Sequence, residues 1–371
     1  MKFSCDQKNI SEVLSKIQGI TGKKTSLAIT SDVLLKVQGS TLYITANDLE
    51  TVFMGEYEVT AESEGIISIN SHKFYEITRD YPDPLIPVNE IEDRWVEIGK
   101  DNILYHLFTS NCENFPKTPI IEDISFIEVN SQVFKKLVTS ASVIGFKSEE
   151  KRNYVKGALF EKIDEEQVKK IRIVSTDSRR LNSFETEFDG DFTSLENNVL
   201  IPKKGISEIN KFLDTEKIIK ISIKDNHFIV KKEKETLMIK LLEGEFPKYE
   251  PILNTESANS FEIDKNQLLM IMKRMSILSS DDYKTVLFNL KYDKLIFTIT
   301  NPEIGESKEE ISVNYSGDEF ESAFNPKYFI DALNLIEDET VVLYVKDGKS
   351  PCIIKGIDND SFVCAIMAIY I

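Results

Sequence analysis

The sequence predicts an α+β protein in which one domain fold is used three times. Three observations support this: a recurring corner motif, a pair of amphipathic helices in each repeat, and short alternating runs joined by turn residues. The corner is an apolar strand ending in Thr or Ser, an Asp or Asn at the bend, and an acidic returning strand. Its copies are ITANDLE (44–50), STDSRRL (175–181) and ITNPEIG (299–305). Asp48, Asp177 and Asn301 lie about 125 residues apart, which is typical of a repeated structural unit.

Each repeat opens with a predicted strand followed by an amphipathic helix. In the first repeat Ile10, Val13 and Ile17 fall at helical spacing, with charged residues between them. The same spacing of apolar residues occurs in segments 133–141 and 268–275. These three segments therefore predict the first helix of each repeat.

A second helix is predicted midway through each repeat, at 71–81, 202–213 and 325–336. Pro202 and Pro326 suit the first helical turn, because proline lacks the N–H that has no partner there. Asn325 is a predicted N-cap, whose side chain accepts hydrogen bonds from the free amides. One lysine recurs at what we predict to be the same position of the three helices: Lys73, Lys204 and Lys327.

The segments between the helices alternate apolar and polar residues and are separated by turn residues, a pattern typical of hairpins. Two helices and about eight strands per repeat fit a domain in which an antiparallel sheet carries the helices on one face. The proline-bearing segments NFPKTP (114–119) and EFPKYEP (245–251) precede the predicted linkers. The predicted domains are therefore 1–122, 123–253 and 254–371.

Composition limits the class of protein. The 371 residues are 41% hydrophobic, enough for several modest cores. The four cysteines are scattered without a CxxC pair, which predicts buried reduced thiols rather than disulfides or zinc ligands. The three histidines are dispersed, so we expect no metal and no cofactor. No apolar run reaches bilayer length and the first residues do not form a signal peptide, which predicts a cytoplasmic protein without a membrane partner.

The net charge of −17 argues by itself against a nucleic-acid partner. The acids, however, concentrate in the turns and hairpin strands, whereas lysines recur on the predicted helices. The lysines have two interpretations. They form the solvated side of amphipathic helices, or they form one shared basic face built from six helices.

Several segments, in order along the whole chain, carry a resemblance to a known family. They are MKF (1–3), TANDLE (45–50), GALFE (157–161), TDSRRL (176–181), LIPKKG (200–205), LEGEFPKYEPIL (242–253), NPE (301–303), YSG (315–317) and FN-x-x-Y-x-x-DALN (324–334). With these segments the chain resembles the bacterial DNA polymerase III β subunit, the replicative sliding clamp. The resemblance covers its full length.

The resemblance implies three DNA-clamp domains per chain, each with two helices against antiparallel sheets, forming half of a closed ring. It implies a homodimer that encircles double-stranded DNA without reading its sequence, with twelve helices lining the hole. Such a ring tethers the DNA polymerase III α subunit for processivity. It also docks the clamp loader, repair proteins and other proteins that carry a clamp-binding motif, and it performs no catalysis.

The DNA-facing residues are predicted partly by resemblance and partly by helix periodicity. Lys24, Arg152 and Tyr154 match basic and aromatic positions of the family. The remaining candidates lie on the polar sides of the predicted helices: Lys73, Arg79, Lys136, Lys204, Lys273 and Lys327. A weakly basic lining on an acidic body suits sliding, because every neutralised phosphate strengthens binding.

A peptide-binding pocket between the second and third domains is implied by the resemblance. Its matching positions are Val155, Thr176, Ser178, Arg179, Arg180, Leu181, Pro247, Ile252, Tyr283, Ile366, Met367, Ala368 and Ile369. Apolar anchors and backbone hydrogen bonds would hold an extended ligand. Two alternatives stay open: Arg180 forms an ion pair at the Asp177 corner, and the first half of 361–371 is a plain buried strand.

The joint between two chains is expected to pair the first domain of one with the third domain of the other. By resemblance Ile277 and Leu278 supply its apolar contact. Glu303, Glu306 and Glu309 are expected to face basic residues such as Lys73 or Lys100. The alternative is an ordinary solvated acidic strand.

Two other classes of function compete with the clamp. An enzyme could use Asp48 and Asp177 as paired carboxylates. Both, however, lie at turns that favour Asp, and the chain has no P-loop, GxSxG or HExxH motif. The second alternative is an acidic peptide-binding adaptor that does not encircle DNA.

Overall fold

The computed structural model of the chain describes residues 1–22, 28–119, 122–145, 151–165, 168–188, 195, 198–213, 217–256, 258–280 and 283–369. Within these ranges the order of strands and helices recurs three times, and the strand ladders are antiparallel. The predicted α+β class with three repeats is therefore confirmed.

The first repeat contains two long helices on antiparallel strands. The helices are α1 (Gln7–Thr21) and α2 (Ser71–Asp80). The strands are β1 (Lys2–Asp6), β2 (Asp32–Gln38), β3 (Thr41–Asn47), β4 (Thr51–Glu58), β5 (Thr60–Ser63), β6 (Gly65–Asn70), β7 (Leu85–Ile91), β8 (Trp95–Lys100) and β9 (Ile103–Ser110). The apolar spacing that predicted α1 is confirmed, because Ile10, Val13 and Ile17 are buried.

The second repeat follows the same order. Its helices are α3 (Ser131–Ser142), the single turn α4 (Asn153–Lys156) and α5 (Lys203–Phe212). Its strands are β10 (Ile127–Asn130), β11 (Gly157–Glu165), β12 (Val168–Thr176), β13 (Arg180–Glu187), β14 (Val199–Pro202), β15 (Ile218–Lys224), β16 (His227–Lys231) and β17 (Glu235–Lys240).

The third repeat begins after the short helix α6 (Glu250–Leu253). Its long helices are α7 (Lys265–Ser276) and α8 (Pro326–Leu333). Its strands are β18 (Asn259–Asp264), β19 (Val286–Lys291), β20 (Lys294–Asn301), β21 (Gly305–Ser312), β22 (Phe320–Phe324), β23 (Thr340–Val345), β24 (Cys352–Gly356) and β25 (Phe362–Ile366).

The starts of the second helices can be aligned through their buried residues. Phe74, Ile206 and Phe329 are each fully buried and occupy the fourth position of α2, α5 and α8. Lys204 and Lys327 therefore share the second position. The first repeat has a histidine there, and its Lys73 lies one residue later. The prediction that all three lysines are equivalent is wrong by one residue.

The caps of these helices follow the predicted chemistry with one exception. The Asn325 side chain accepts a hydrogen bond from the amide of Lys327 (3.0 Å), so the predicted N-cap is confirmed. Pro326 occupies the first turn of α8, as expected. Pro202 instead ends β14, and α5 begins one residue later than the sequence suggested.

The chain divides into two compact units. The first unit comprises Met1–Lys135, Lys204–Leu241 and a short segment at 190–197. Its thirteen-stranded sheet has the order β10-β15-β16-β17-β4-β3-β2-β6-β9-β8-β7-β1-β5. Strand β17 of the second repeat pairs there with β4 of the first.

The second unit comprises Lys136–Asp189, a short segment at 198–203, and Leu242–Ile371. It contains an eight-stranded sheet with the order β14-β11-β12-β13-β25-β24-β23-β18 and a four-stranded sheet with the order β21-β20-β19-β22. Strand β13 of the second repeat pairs there with β25 of the third. The middle repeat therefore contributes strands to both units.

The four cysteines are free thiols, and the predicted burial is confirmed for three of them but is wrong for Cys112, which is half-buried. Cys5, Cys352 and Cys364 are buried, and burial raises the pKa of Cys5 and of Cys364 to about 12. These thiols are therefore protonated at neutral pH. No helix among the described residues is both long enough and apolar enough to cross a bilayer.

Candidate functional site

The three corners share one hydrogen-bond pattern. In each corner, the side-chain oxygen of the last residue of the incoming strand accepts a hydrogen bond from the backbone amide two residues further on. The pairs are Asn47–Leu49 (2.8 Å), Thr176–Ser178 (3.0 Å) and Asn301–Glu303 (3.1 Å). Asn301 is therefore equivalent to Asn47 and Thr176. Its predicted equivalence to Asp48 and Asp177 is wrong by one residue.

Asp48 and Asp177 are engaged by the backbone of their own corners. The Asp48 carboxylate accepts amides of Glu50 (3.1 Å) and Thr51 (2.7 Å), and it also forms an ion pair with Lys204. The Asp177 carboxylate accepts the amides of residues 179 and 180, at 2.9 and 3.0 Å. Both carboxylates therefore have structural partners, as expected for turn residues.

Arg180 forms the ion pair that the sequence left open. The side chain is 8% exposed. Its guanidinium bonds Asp177 (3.3 Å), Asp331 (2.6 Å) and the carbonyl of Val143 (3.3 Å). It also lies over the ring of Tyr328, 4.5 Å from the centroid. This cation ties the corner of the second repeat to helix α8 of the third.

The candidate DNA-facing cations on the helices mostly have acidic neighbours. The ion pairs are Lys73–Glu76 (2.7 Å), Arg79–Asp80 (2.8 Å) and Lys136–Glu337 (2.6 Å), all with exposed side chains. Such exposed pairs contribute little to stability. They reduce the net positive charge that the helices present to solvent.

The remaining candidate cations differ in exposure. Lys273 and Lys327 are exposed, whereas Lys204 is largely buried in its pair with Asp48. The Arg152 guanidinium donates to the Tyr154 hydroxyl (3.2 Å) and lies 5.6 Å from its ring. Lys24 lies outside the described residues.

The predicted peptide pocket is built around the β13–β25 ladder. Arg180 lies opposite Ile366, and Leu181 lies opposite Ala365. The ladder continues where the Met367 amide donates to the carbonyl of Arg179 (2.8 Å). The Ile369 amide donates to the carbonyl of Ala323 (2.8 Å), which fixes the segment after β25. The predicted residues at 176–181 and 366–369 are thus brought together.

The predicted pocket residues divide into buried and accessible groups. The buried ones are Val155, Thr176, Arg180, Leu181 and Ile366. The exposed ones are Ser178, Arg179, Pro247, Ile252, Tyr283 and Met367, and Ala368 and Ile369 are half-buried. The buried set forms walls and support, and the exposed set can contact a ligand directly.

A groove of about 450 Å³ lies beside this surface. Ile252 and Met367 line it together, as predicted for the pocket. Sequence reasoning missed the other apolar lining residues, which include Pro251, Tyr344, Pro351 and Ile353. The alternating pattern of β23 could have indicated that Tyr344 lies on the face away from the core.

A polar network holds the linker that carries Pro247 and Ile252. The Tyr249 hydroxyl donates to Glu161 and accepts from Arg172 (2.8 Å). Arg172 also binds Glu185 through two hydrogen bonds (2.9 and 2.5 Å), and Lys170 donates to the same carboxylate (2.6 Å). Strands β11, β12 and β13 therefore position the linker through side chains.

The two carboxyls of this network have opposite pKa shifts. Burial raises the pKa of Glu161, and the hydrogen bond from Tyr249 and the nearby charge of Arg172 offset this only in part. Burial also acts to raise the pKa of Glu185, but the hydrogen bonds from Lys170 and Arg172 outweigh it, so the pKa is lowered. Burial, followed by the contact with Glu161, raises the pKa of Tyr249. The phenol therefore stays protonated.

The predicted joint residues lie on one side of the third repeat. Ile277 follows α7 and is 75% exposed. Leu278 packs against the hydrophobic core of the third repeat, and its carbonyl accepts a hydrogen bond from the Asn301 side chain (2.9 Å). Glu309 is paired with Arg274 of the same chain (2.8 and 2.5 Å).

The other charged residues assigned to the joint are accessible. Glu303 and Glu306 are exposed. On the first repeat, Lys100 lies 3.6 Å from Asp83 in an exposed pair. Of these acids, Glu309 thus already has a cation within its own chain.

Three like-built repeats, with sheets that run on from one repeat to the next, define a clamp rather than an enzyme. Family models of the DNA polymerase III beta subunit match the chain in three places. The N-terminal domain matches residues 1–119, the central domain residues 128–248 and the C-terminal domain residues 250–370. The chain therefore belongs to the DNA polymerase III beta subunit family, a family of non-catalytic DNA sliding clamps.

Individual relatives agree over the full length. The Beta sliding clamp of Vibrio cholerae is 27% identical and that of Chlamydia pneumoniae 26% identical, each over 100% of both chains. The crystal structure of the DNA polymerase III subunit beta from Pseudomonas aeruginosa is 26% identical. It matches 100% of both chains with a TM-score of 0.90. The adaptor alternative is not favoured by these matches.

Proposed function

We propose that two copies of this chain close head to tail into a ring around double-stranded DNA. The ring tethers the polymerase III α subunit for processive synthesis in the cytoplasm. We further propose domain limits at 1–122, 123–253 and 254–371. The family matches, which end at residues 119 and 248, support these limits.

The observation that carries this proposal is the common register of the two joints within the chain. In the β4–β17 ladder Thr51 lies opposite Ile239, and in the β13–β25 ladder Arg180 lies opposite Ile366. Thr51 and Arg180 each lie four residues after the last residue of the incoming strand at their corner. The two joints are therefore built alike.

A third joint of the same kind needs a second copy of the chain. Strand β21 follows the third corner and is the terminal strand of its sheet among the described strands. Its Gly305 lies four residues after Asn301, as Thr51 does after Asn47. Strand β9 is the last strand of the first repeat, and its described ladder along 103–108 is with β8. We assign these two strands to the joint between copies.

The register of this joint follows from the hairpins. Val96 lies opposite Leu107 in the β8–β9 hairpin. Its counterparts in the other repeats are the pairs Phe228–Ile239 and Cys352–Ile366. The second member of each pair lies three residues before a residue that pairs with the strand preceding the second helix: Ser110 with Ser68, Leu242 with Leu200 and Ile369 with Ala323. Leu107 thus corresponds to Ile239 and Ile366, and we place it opposite Gly305 of the second copy.

The side chains next to this joint support the assignment. Ile277 is exposed beside the third corner, and Leu278 binds the corner through its carbonyl. Glu303 belongs to that corner, and we propose that it faces Lys73 near the start of α2 of the second copy. Glu306 and Glu309 belong to the edge strand itself.

Weak attraction to DNA is supported by the charge of the helices. We propose that the candidate cations attract phosphates from the inner side of the ring. They are Lys24, Lys73, Arg79, Lys136, Arg152, Lys204, Lys273 and Lys327, and the aromatic ring of Tyr154 lies on the same surface. Because several of these cations form ion pairs with nearby acids, the ring can neutralise only a few phosphates at once. Few neutralised phosphates mean a small free-energy barrier to sliding.

Partner proteins are proposed to dock as extended peptides beside the β13–β25 ladder. The clamp loader, the polymerase and repair proteins would present apolar side chains to Leu181, Ile252 and Met367. The groove of about 450 Å³ that these last two residues line supports such a mode.

Retention on DNA tests the ring. The chain is loaded by its clamp loader onto nicked circular DNA, and bound protein is measured after gel filtration. We expect the protein to stay on the circle and to leave within minutes when a restriction enzyme linearises it. Equal retention on circular and linear DNA would contradict the ring and favour an adaptor.

A further inference from the structure

We propose that His106 makes closure of the ring dependent on pH. At the joint between copies its imidazole lies between Glu97 of its own strand pair and Glu306 of the second copy. This inference rests on the joint proposed above. It assigns that joint a titratable contact that the two joints inside the chain do not have at the same position.

The position opposite His106 follows from the inner joints. One residue before Ile239, Met238 lies opposite Val52, and one residue before Ile366, Ala365 lies opposite Leu181. Both pairs are apolar and belong to buried clusters. Each is also covered by its linker: Phe126 packs on the first cluster and Phe246 on the second.

The third joint has different residues at this position. His106 precedes Leu107, and Glu306 follows Gly305, so the same register places His106 opposite Glu306. Directly opposite residues of antiparallel strands have Cβ atoms about 4.5–5.5 Å apart. An apolar pair in each inner joint thus becomes an imidazole–carboxylate pair in the joint between copies.

His106 already has one carboxylate beside it. Glu97 lies opposite His106 in the β8–β9 hairpin, with 3.4 Å between Nε2 and Oε2, and both side chains are accessible. Along its own strand the same face carries Leu104 and Phe108, and Phe108 stacks edge-on against Trp95 (5.5 Å). The charged residue directly opposite His106 within its own chain is therefore an acid.

The remaining charges that face His106 come from two elements. Arg94 lies over the ring of Phe108, 5.4 Å from its centroid. On the second copy, Lys308 is the next residue of β21 on the same face and falls opposite Leu104, diagonal to His106. Two carboxylates directly beside the imidazole outweigh one diagonal amine and a guanidinium that lies over the neighbouring Phe108 ring.

The sign of the pH effect follows from these neighbours. Imidazole gains and loses its proton near neutral pH. The protonated ring gains a second carboxylate when the joint closes, so closure favours proton uptake. By linkage the dimer is strongest below about pH 6 and weakens as the pH rises through the range of imidazole titration.

The test is the dimer dissociation constant at pH 6.0 and pH 8.5, measured by sedimentation with fluorescently labelled chain. All variants carry His72→Gln, because His72 (Nε2 3.3 Å from Glu76) is the other histidine near the proposed joint. The ring has two joints between copies, and each would contribute one exposed cross-strand ion pair at low pH. Together they predict a dissociation constant roughly 10-fold larger at the higher pH. His106→Gln and Glu306→Gln should each reduce this ratio to nearly one.

Two controls separate this inference from the ring itself. His227→Gln, on a hairpin away from the joint, should leave the pH ratio unchanged. Ile277→Glu, at an exposed site, should dissociate the dimer at both pH values. Suppose Ile277→Glu dissociates the dimer, but the reference chain with His72→Gln alone shows no pH ratio, or His106→Gln keeps that ratio. His106 then has no such role and the ring stands. If Ile277→Glu leaves the dimer intact, the joint lies elsewhere and both proposals fall.

Discussion

The two joints within the chain share a ladder register but differ in their polar chemistry. At the first joint a lysine ammonium group is buried, and at the second a guanidinium ties the corner to a helix. In both, the strand after the corner pairs with the last strand of the next repeat. Backbone hydrogen bonds therefore fix where the repeats meet, and side chains at the same place are free to vary.

The first joint contains the more deeply buried charge. The Lys232 side chain is 2% exposed. Its ammonium group forms an ion pair with Glu235 (2.8 Å) and donates a hydrogen bond to the carbonyl of Phe212 (2.9 Å). The same ammonium lies 4.3 Å from the Phe212 ring. Tyr57, on β4, donates to the other oxygen of Glu235 (2.7 Å). One carboxylate thus links the two repeats.

The second joint distributes its charge over more partners. Arg180 bonds two carboxylates and a carbonyl, and one of the carboxylates, that of Asp331, is itself partly exposed. Loss of one partner there leaves others in place. Substitutions should therefore be more costly at the first joint than at the second.

The largest effect is expected for Glu235→Leu. It leaves the ammonium of Lys232 buried without its carboxylate, which costs about 3–5 kcal/mol. We expect the first thermal unfolding transition to shift down strongly. The matched control is Glu233→Leu, on the same turn but exposed, which should change stability by less than about 0.5 kcal/mol. If the two variants unfold at the same temperature, the buried Lys232–Glu235 pair does not stabilise the first joint.

An intermediate effect is expected for Arg180→Met. The side-chain volume is retained, but Asp331 and Asp177 lose their shared cation, and hydrogen bonds to charged groups contribute about 1.5–3 kcal/mol. Chemical denaturation should show a lower midpoint for this variant. Arg179→Met, at the adjacent exposed position, should behave as wild type. A wild-type midpoint for Arg180→Met would show that the guanidinium does not hold the second joint.

The smallest effect concerns the pH dependence of the network around Tyr249. The pKa of Glu185 is lowered in the fold, so it stabilises the fold above the ordinary carboxyl pKa of about 4.3, and this is lost as the pH falls through the folded value. The pKa of Glu161 is raised, so its contribution is present below the ordinary value and is lost as the pH rises through the folded value.

The two carboxyls should therefore respond oppositely to replacement by glutamine. Glu185→Gln should lower stability by about 1 kcal/mol at pH 7, because the amide oxygen still accepts from one cation, and by much less near pH 3. Glu161→Gln should matter less at pH 7 and should remove part of the stability gained on acidification. Unfolding midpoints from pH 3 to 7 measure both curves. Parallel curves for the two variants would contradict the opposite shifts.

Local patterns in the sequence predicted much of the fold. Apolar spacing identified the helices, because buried residues such as Ile10 and Phe74 recur with the helical period. The corners were recognised because Asp favours turns and its carboxylate binds the amides that follow. The repeat length then gave the three-domain plan.

Pairings between distant residues could not be predicted in the same way. Nothing in the local sequence near Lys204 indicates that it bonds Asp48, and Asp331 is far in sequence from Arg180. The one-residue errors at Asn301 and Lys73 have a similar origin. Equivalent positions in the three repeats are defined by the last paired residue of a strand or by a buried helix residue. A residue of the same type one position away does not identify them.

A disulfide at the proposed joint tests the central claim most directly. His106→Cys with Glu306→Cys, in a Cys112→Ser background, places two thiols directly opposite if the third joint repeats the register of the other two. Mild oxidation should convert the chain to a covalent dimer, and Leu104→Cys with Glu306→Cys, shifted by two residues, should react far less. A dimer that forms in solution but is captured better by the shifted pair, or by neither pair, would contradict the account.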